Sequence, residues 1–476
     1  LPRVIREIHS MNRLRKLVSQ LSDASSVGDQ LRQEQAIQEV RLALEVPLVK
    51  LKMIQLQFLS EMVNGLKAPG AATIRMLPSF VQRKDTSNIS GDFYALDLGG
   101  TNFRVLQLKV VKGKVVQHSA HPCSISEEAK TGTASQLFDF IAKEVKKVIP
   151  ADAKGDLGFT FSFPVNQTSI NSGSLITWTK GFTASGVEGH DVVELLQAAF
   201  KRAGVNLAIS ALVNDTVGTL VAEYFKRADS AVGVILGTGA NCCYWEKVEN
   251  ITKYVNVLPP QQRAEEEGKV MCINMECGNF DSWSHKALPV TEWDKILDLS
   301  SPNPGQQTYE KMLSGMYLGE ISRLVFQHLA YSGVFSSDLH CMAKKGCFET
   351  KHLSLFLADT TPALADIDKH NQQAYGLTTT LRQRETMKEV CRLVALRSAR
   401  LAAAGISTII TKINVPSATI SIDGSVFEKV PGYQQMMEQC LDELYAGEPH
   451  NLKLVLTKDG SGIGAGLIAA MEATQN

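Results

Sequence analysis

The chain has 476 residues, of which 44% are hydrophobic and 21% charged, and its 49 basic residues balance its 49 acidic ones. These values are typical of a globular enzyme of more than one domain. They disfavour a nucleic-acid-binding protein, which needs a clustered basic surface. No run of about 18 uncharged apolar residues occurs in the sequence, which predicts no transmembrane segment. The nine cysteines lack the spacing of a structural zinc site and indicate free thiols.

The first part of the chain predicts helices. Residues 1–22 alternate basic and apolar side chains, as in a basic amphipathic segment, and we interpret them as an N-terminal extension. Apolar periodicity then predicts helices over 36–46 and 48–66, separated by Pro47. The stretch 68–90 is rich in Pro, Ser, Thr and Gly, and it is interpreted as a connector.

From residue 93 onward the pattern changes to strands separated by glycine turns. Alternating apolar residues predict strands over 93–98, 103–111, 231–236, 241–247, 419–422 and 452–457. Helices are predicted between them, for example over 191–203, where Asp191 and Glu194 form a start similar to a capping box. The repeated unit of strand, glycine loop and strand predicts an α/β protein with two related halves that face one another.

Four of these turns are candidates for a phosphate site. Glycine loops expose backbone N–H groups, and such concave arrangements bind anions. A single loop is more often a plain hairpin turn, but four loops, three of them beside Asp or Thr, favour a nucleotide site. The signatures of P-loop proteins, zinc proteases, serine hydrolases, protein kinases and Rossmann proteins are absent from the sequence. The first hypothesis is therefore an ATP-using enzyme with its site between two lobes.

Several segments, in order along the chain, resemble the hexokinase family. They read LDLGGTNFRV at 96–105, FSFP at 161–164, WTKGF at 178–182, LVNDTVGT at 212–219 and NPGQQ at 303–307. The resemblance implies an α/β, two-lobed actin-like ATPase (ribonuclease H-like) fold with a central cleft. The implied large domain comprises residues 23–89 and 212–458, and the small domain comprises 90–211 and 459–476. The implied reaction transfers the γ-phosphoryl group of MgATP to the 6-hydroxyl of glucose and related hexoses, the first step of glycolysis.

The resemblance also assigns roles to individual residues. Asp215 is the implied general base, because a carboxylate within reach can accept the proton of the attacking hydroxyl. Lys180 is the second implied catalytic residue and would neutralise charge at the transferred group. The implied sugar-binding residues are Ser162, Phe163, Pro164, Thr179, Lys180, Asn214, Asp215, Asn241, Glu276 and Glu310. Taken singly, Asp215 could instead be a helix N-cap, Glu310 a solvated helix residue and Asn241 a turn residue.

ATP and Mg²⁺ are the implied cofactors. The implied nucleotide-binding residues are Asp97, Gly99, Gly100, Thr101, Asn102, Arg104, Gly237, Thr238, Gly239, Asp423, Gly424, Ser425, Gly460 and Ser461. Mg²⁺ would bind mostly to phosphate oxygens and waters, with Asp97 as an anchor through water. Three positions depart from the family pattern: Cys277 where Trp is common, Asp281 where Gly is frequent, and Cys242 where Ala is usual. The smaller Cys277 predicts looser packing beside Glu276, which bears on sugar selectivity.

The N-terminal segment carries a candidate targeting signal. Arg13-Leu14 and Gln20-Leu21, with five residues between them, fit the N-terminal peroxisomal import pattern, and the arrangement resembles glycosomal hexokinases. We therefore predict import into a glycosome or similar organelle through a receptor that binds residues 13–21. The alternatives are a mitochondrial-type presequence or an ordinary amphipathic helix, the latter in a cytoplasmic protein.

Two other functions stay open at this point. One is a sugar-sensing regulator with the same fold and no fast turnover, which would not need to retain Asp215 and Lys180. The other is an actin- or chaperone-like ATPase, which would have no use for the FSFP and WTKGF segments.

Overall fold

The computed structural model describes residues 30–99, 102–179, 181–335, 339–446 and 450–473. The helices are α1 (30–44), α2 (Leu48–Lys67), α3 (Glu127–Thr131), α4 (Ala134–Val148), α5 (Val192–Ala203), α6 (Asp215–Tyr224), α7 (Thr252–Val255), α8 (Pro260–Glu266), α9 (Glu292–Leu299), α10 (Thr308–Leu313), α11 (Leu318–Tyr331), α12 (Thr350–Ala358), α13 (Ala365–Tyr375), α14 (Leu381–Ile413), α15 (Ser425–Lys429), α16 (Tyr433–Leu444) and α17 (Gly460–Ala473). The strands are β1 (Leu77–Gln82), β2 (Gly91–Leu98), β3 (Asn102–Val111), β4 (Lys114–Ser124), β5 (Gly155–Phe161), β6 (Val165–Ser169), β7 (Ser172–Leu175), β8 (Leu207–Val213), β9 (Ser230–Leu236), β10 (Ala240–Lys247), β11 (Val270–Asn274), β12 (Ser417–Asp423) and β13 (Asn451–Leu456). Helices alternate with mixed sheets, which confirms the predicted α/β class.

The described residues divide into two compact units. One comprises residues 30–46, Pro289–Ser300 and Tyr317–Arg397, and the other comprises Pro47–Leu288, Ser301–Met316 and 398–473. The boundaries of the predicted large and small domains, at 89/90, 211/212 and 458/459, fall within the second unit. The division into a large and a small domain therefore stays a prediction.

The first sheet has the strand order β4-β3-β2-β5-β8. Strands β2, β3 and β4 are antiparallel, whereas β2, β5 and β8 run parallel to one another. Helices α4 and α5 pack against this sheet and contribute to one apolar core cluster. As predicted, Asp191 caps α5: its carboxylate accepts hydrogen bonds from the backbone N of Val193 and Glu194. Gly204 ends the helix with φ 70°, a conformation that glycine adopts without strain.

The second sheet has the strand order β1-β11-β10-β9-β12-β13. Its strands β9, β12 and β13 are parallel, and the β9–β10 hairpin and β11 continue the sheet in antiparallel pairs. Strand β1 corrects the prediction that 68–90 is only a connector, because it pairs with β11. Its Pro78, the positive φ of Phe80 and the shift of register between Pro78 and Gln82 explain why the sequence pattern did not indicate the strand.

Helix α17 packs unusually closely on its neighbours. A Cβ added at Gly464 would lie 1.8 Å from the carbonyl oxygen of Gly218 in α6, and one added at Gly158 would lie 2.0 Å from the carbonyl oxygen of Ala465. These contacts explain the repeated glycines of 460–466, because a larger side chain would separate α17 from α6 and β5. The sequence pattern predicts a loop at Gly460 and Ser461, whereas these residues form the first turn of α17.

The first unit, which comprises residues 30–46, Pro289–Ser300 and Tyr317–Arg397, has its own buried contacts. The guanidinium of Arg397, which is 1% exposed, donates two hydrogen bonds of 2.7 Å to the carboxylate of Asp294. The rings of Phe326, Phe348 and Phe356 form an edge-to-face cluster. Helix α14 contributes residues to both units. It is long and apolar enough to cross a membrane, and 89% of its most apolar 18-residue stretch is buried within the protein, as in a core helix.

Candidate active site

The carboxyl ends of three parallel strands gather predicted site residues at one edge of the first sheet. Strand β2 pairs with β5, with Leu98 opposite Phe161, and β5 pairs with β8 in the same direction. Gly99, Ser162 and Asp215 follow these strands within two residues, so they lie along the same edge. The backbone N of Ser162 donates to the carbonyl oxygen of Leu98 at 3.2 Å. Open α/β sheets bind ligands at this edge.

Asp215 is the first residue of α6. The N-cap of this helix is Asn214, whose Oδ1 accepts from the backbone N of Thr216 at 3.0 Å and from its hydroxyl at 2.6 Å. The interpretation of Asp215 as an N-cap is therefore wrong. One carboxylate oxygen of Asp215 accepts from the Thr216 backbone N at 2.9 Å. No other donor among the described residues binds this half-buried carboxylate, so it can accept a proton from a ligand.

A chain of side-chain hydrogen bonds connects three predicted sugar-binding residues. Asn241 Nδ2 donates to Asn274 Oδ1 at 2.8 Å and to Asn214 Oδ1 at 3.4 Å. Asn274 Nδ2 donates in turn to Glu276 Oε1 at 2.9 Å. Asn241 Oδ1 accepts from the backbone N of Cys242 at 2.8 Å, which fixes the orientation of the amide. These hydrogen bonds hold neutral amides and a carboxylate close together, and such groups can pair with the donors and acceptors of sugar hydroxyls.

Asn274 is a residue that sequence reasoning missed. It is 6% exposed, ends β11 and bridges Asn241 and Glu276. Its only signal in the sequence is its position two residues before Glu276. Asn274 therefore positions the side chains of Asn241 and Glu276, a role that differs from direct contact with a ligand.

Glu310 approaches the same group of residues from α10. Its Oε2 accepts from the backbone N of Ala240 at 2.9 Å. A Cβ added at Gly239 would lie 2.7 Å from this oxygen, so the glycine permits the close approach of the carboxylate. Gly239 thus serves the predicted sugar side of the site as well as its predicted nucleotide loop.

An aromatic cluster supports the FSFP and WTKGF segments. Phe163 is 2% exposed, and its ring lies 4.8 Å from the ring of Trp178 and 5.0 Å from that of Phe182, centroid to centroid. Phe163 and the buried Pro164 therefore support Ser162 by packing. Thr179 is half-buried, and its carbonyl oxygen accepts from the backbone N of Phe182 at 3.1 Å. Lys180 lies outside the described residues.

On the predicted nucleotide side, carboxylates from both sheets meet the first turn of α17. Ser461 Oγ donates to Asp97 Oδ2 at 2.7 Å, and the backbone N of Gly460 donates to Asp423 Oδ2 at 3.1 Å. Burial raises the pKa of Asp423 to about 6, and the negative charges of Asp97 and Asp459 add to the rise. Arg104 forms an ion pair with Asp459. The cluster carries excess negative charge, which a cation would relieve.

Among the remaining predicted nucleotide residues, those of the β9–β10 turn and of the turn after β12 contact one another. Gly424, with φ 125°, approaches the β9–β10 turn so closely that an added Cβ would lie 2.6 Å from the backbone N of Gly237. Thr238 is exposed in that turn, and Ser425 begins α15. Gly99 follows β2, and Asn102 begins β3. Gly100, Thr101 and the side chain of Asn102 lie outside the described residues.

The departures from the family pattern have physical explanations. Cys277 and Cys242 are both buried and their side chains lie close together, so the two substitutions occur at neighbouring positions. Burial, together with this contact, raises the pKa of Cys277 well above its usual value. Asp281 has φ 58°, a left-handed conformation in which Gly is common and Asp is tolerated.

Comparisons with known proteins identify the class. Family models described as Hexokinase match residues 36–225 and 231–471. The chain is 39% identical over 435 residues to a hexokinase of Kluyveromyces lactis, with 89% of each chain covered. It is 40% identical over 457 residues to hexokinase-7 of Oryza sativa subsp. japonica, covering 92% of this chain and 96% of the relative. It is also similar to the solved hexokinase of Schistosoma mansoni complexed with glucose, at 32% identity and a TM-score of 0.84, covering 93% of this chain and 99% of that one.

The chain therefore belongs to the hexokinase family. Its fold is the α/β fold of that family, and its enzyme class is that of kinases that phosphorylate hexoses with ATP. The resemblance that the sequence motifs predicted is confirmed.

Proposed function

We propose that this enzyme transfers the γ-phosphoryl group of ATP to the 6-hydroxyl of glucose, with Asp215 as the general base. The observation that carries the proposal is the hydrogen-bonded chain from Asn214 through Asn241 and Asn274 to Glu276, which begins at the residue beside Asp215. A hexose presents hydrogen-bond donors and acceptors on almost every carbon, and these linked side chains offer amide and carboxylate groups that can pair with them. The solved relative from Schistosoma mansoni, complexed with glucose, supports the choice of sugar.

The proposed step requires a proton acceptor and a positioned hydroxyl. The 6-hydroxyl oxygen attacks the γ-phosphorus, the bond from that phosphorus to the β,γ-bridging oxygen breaks, and ADP leaves. The hydroxyl proton passes to the Asp215 carboxylate. The lack of a second protein donor on this carboxylate among the described residues supports that role. Lys180 would neutralise charge that develops on the transferred group.

The carboxylates on the nucleotide side fit a divalent cation bound with ATP. Among the described residues, no group of three or more His, Cys, Asp or Glu side chains could hold a metal ion by itself. The proposed ion would be held mostly by phosphates and water, with Asp97 and Asp423 as anchors through water. Bound Mg²⁺ would neutralise charge on the phosphates. The nucleotide phosphates would contact the β2–β3 turn, which includes Gly99, and the β9–β10 turn, which includes Gly237.

We also propose that the predicted large and small domains close on the sugar before transfer. Water is a competing acceptor for the phosphoryl group, so closure that depends on sugar would suppress ATP hydrolysis. The first experiment measures ADP release with ATP, Mg²⁺ and glucose, and measures glucose 6-phosphate separately with its dehydrogenase. Equal amounts of both products, with ADP release far slower without sugar, support the proposal. ADP release at a similar rate with and without glucose would contradict it.

For location, we propose import into a glycosome-like organelle through residues 13–21, which lie outside the described residues. Only the sequence pattern supports this proposal. A reporter fused to residues 1–25 should enter the organelle, and Arg13→Glu should leave it in the cytosol. A cytosolic signal for the unchanged segment would refute the proposal.

A further inference from the structure

A cavity of about 1080 Å³ lies outside the site described above. Residues of the segments 69–80, 253–258 and 279–283 form its wall, together with residues 166–168 of β6, Ile176 and Gln306. No described residue of the predicted sugar or nucleotide sets lines it. Pockets for organic ligands commonly measure about 300–1,000 Å³, so this cavity has room for a small organic molecule.

The cavity concentrates exposed apolar side chains. Trp283, Val257 and Ile176 all line it, and they are 69%, 77% and 41% exposed. Phe80 and Tyr254 also line it and form an edge-to-face pair with ring centroids 5.7 Å apart. Clustered exposed apolar surface marks a binding site more often than single exposed residues do. The aromatic rings in this wall favour a planar apolar body.

The cavity is also positively charged. Lys253 and Arg75 line it, and no Asp or Glu is among its lining residues. Lys253 Nζ donates to the Arg75 carbonyl oxygen at 2.7 Å, and burial lowers the pKa of Lys253 to about 8. Among the residues that the structure describes, no carboxylate forms an ion pair with either side chain. An acidic group on a ligand would therefore meet positive charge that the protein leaves unneutralised.

The aromatic part of the wall is held in an uncommon backbone conformation. Trp283 has φ 68° and Phe80 has φ 61°, values that non-glycine residues adopt only where the surrounding structure enforces them. The Trp283 ring lies so close to Gly305 that an added Cβ would be 2.4 Å from it. The carboxylate of Asp281 accepts from the backbone N of residues 286, 287 and 288, which fixes the loop that carries Trp283.

We propose that this cavity binds a small organic anion with a planar apolar body. The apolar body contacts Trp283, Val257 and Ile176, and the acidic group binds Lys253 and Arg75. None of its lining residues is among the predicted sugar and nucleotide residues, so binding there can be measured without the reaction proposed above.

Two naphthalene probes test the proposal on the full chain. One is 8-anilinonaphthalene-1-sulfonate, which carries an acidic group, and the other is the neutral N-phenyl-1-naphthylamine. Both are titrated by fluorescence with excess ADP present, which occupies the nucleotide site. We expect saturable binding of both probes to the unchanged protein. Lys253→Met should weaken binding of the sulfonate about tenfold and leave binding of the neutral probe within about twofold.

Matched variants separate the cavity from other surfaces. Lys143→Met removes an exposed lysine of α4 that does not line the cavity, and it should leave both dissociation constants unchanged. Val257→Asp puts a negative charge into the apolar part and should weaken both probes. Circular dichroism checks that each variant is folded, and Val257→Ser replaces Val257→Asp if the latter is not. Equal sulfonate affinity in Lys253→Met and in the unchanged protein, or no saturable binding, would overturn the proposal.

Discussion

Asn274 is the residue whose replacement tests the proposed sugar site most specifically. In Asn274→Ala, Glu276 loses a hydrogen bond of 2.9 Å and Asn241 loses one of 2.8 Å. A hydrogen bond to a charged group contributes about 1.5–3 kcal/mol, so kcat/KM for glucose should fall about 10- to 100-fold. The loss should appear mainly in KM for glucose, because both partners keep their chemistry and lose only their orientation. KM for ATP should change less than about threefold.

The assay is coupled ADP release, with glucose varied at saturating ATP and then ATP varied at saturating glucose. Asn371→Ala is the matched control, because Asn371 is also buried but lies in α13 of the first unit, whereas the predicted sugar residues belong to the second. That control should lower thermal stability without a selective effect on KM for glucose. The reasoning is refuted if Asn274→Ala keeps kcat/KM for glucose within about threefold of the unchanged enzyme, or if both variants raise KM for glucose equally.

The other predictions concern stability and close contacts. The pKa of Asp423 is about 6 in the folded protein against 3.8 as its ordinary value, so the folded state binds the extra proton and the unfolding free energy falls as pH rises between about 4 and 6. Asp423→Asn should therefore raise the unfolding free energy of the ligand-free protein at pH 7.5 by up to about 3 kcal/mol, measured by chemical denaturation. Near pH 4.5 the gain should be about a third as large, and an equal gain at both pH values would contradict this reasoning. Gly464→Ala should destabilise by about 3 kcal/mol, because its Cβ would meet the carbonyl oxygen of Gly218 at 1.8 Å, and an unchanged melting temperature would argue against this contact. Gly239→Ala should raise KM for glucose about tenfold by displacing the Glu310 carboxylate, and a change in KM for ATP alone would assign the glycine to the nucleotide side instead.

Much of the fold could be predicted because local signals agree with it. The cap at Asp191, the break at Pro47 and the glycine turn before Ala240 each follow from a short stretch of sequence. Strand β1 was missed because it gains its stability from pairing with β11, almost 200 residues later, and local propensity does not report such pairing. The helical position of Gly460 was missed for a similar reason, since contacts with α6 and β5 favour a helix where glycine propensity opposes one.

The candidate site, like the fold, has features that the sequence predicts and features that only the structure reveals. Sequence motifs identify Asn241, Glu276 and Asp215, but they do not reveal that Asn274 bridges the first two. The bridge depends on the pairing of β10 with β11, which sets the relative positions of side chains that are 33 residues apart. Phe163 is the opposite case: its motif marks it as a sugar residue, whereas its ring is buried among aromatic neighbours.

The measurement that tests the central claim most directly compares glucose-dependent turnover in the unchanged enzyme and in Asp215→Ala. If Asp215 accepts the proton of the 6-hydroxyl, kcat should fall about 100-fold or more, while glucose affinity by calorimetry stays within about tenfold. Asp215→Asn, which keeps an oxygen for the Thr216 backbone N, should be equally impaired. Turnover in Asp215→Ala within about tenfold of the unchanged enzyme would contradict the account, because the proton would then have another acceptor.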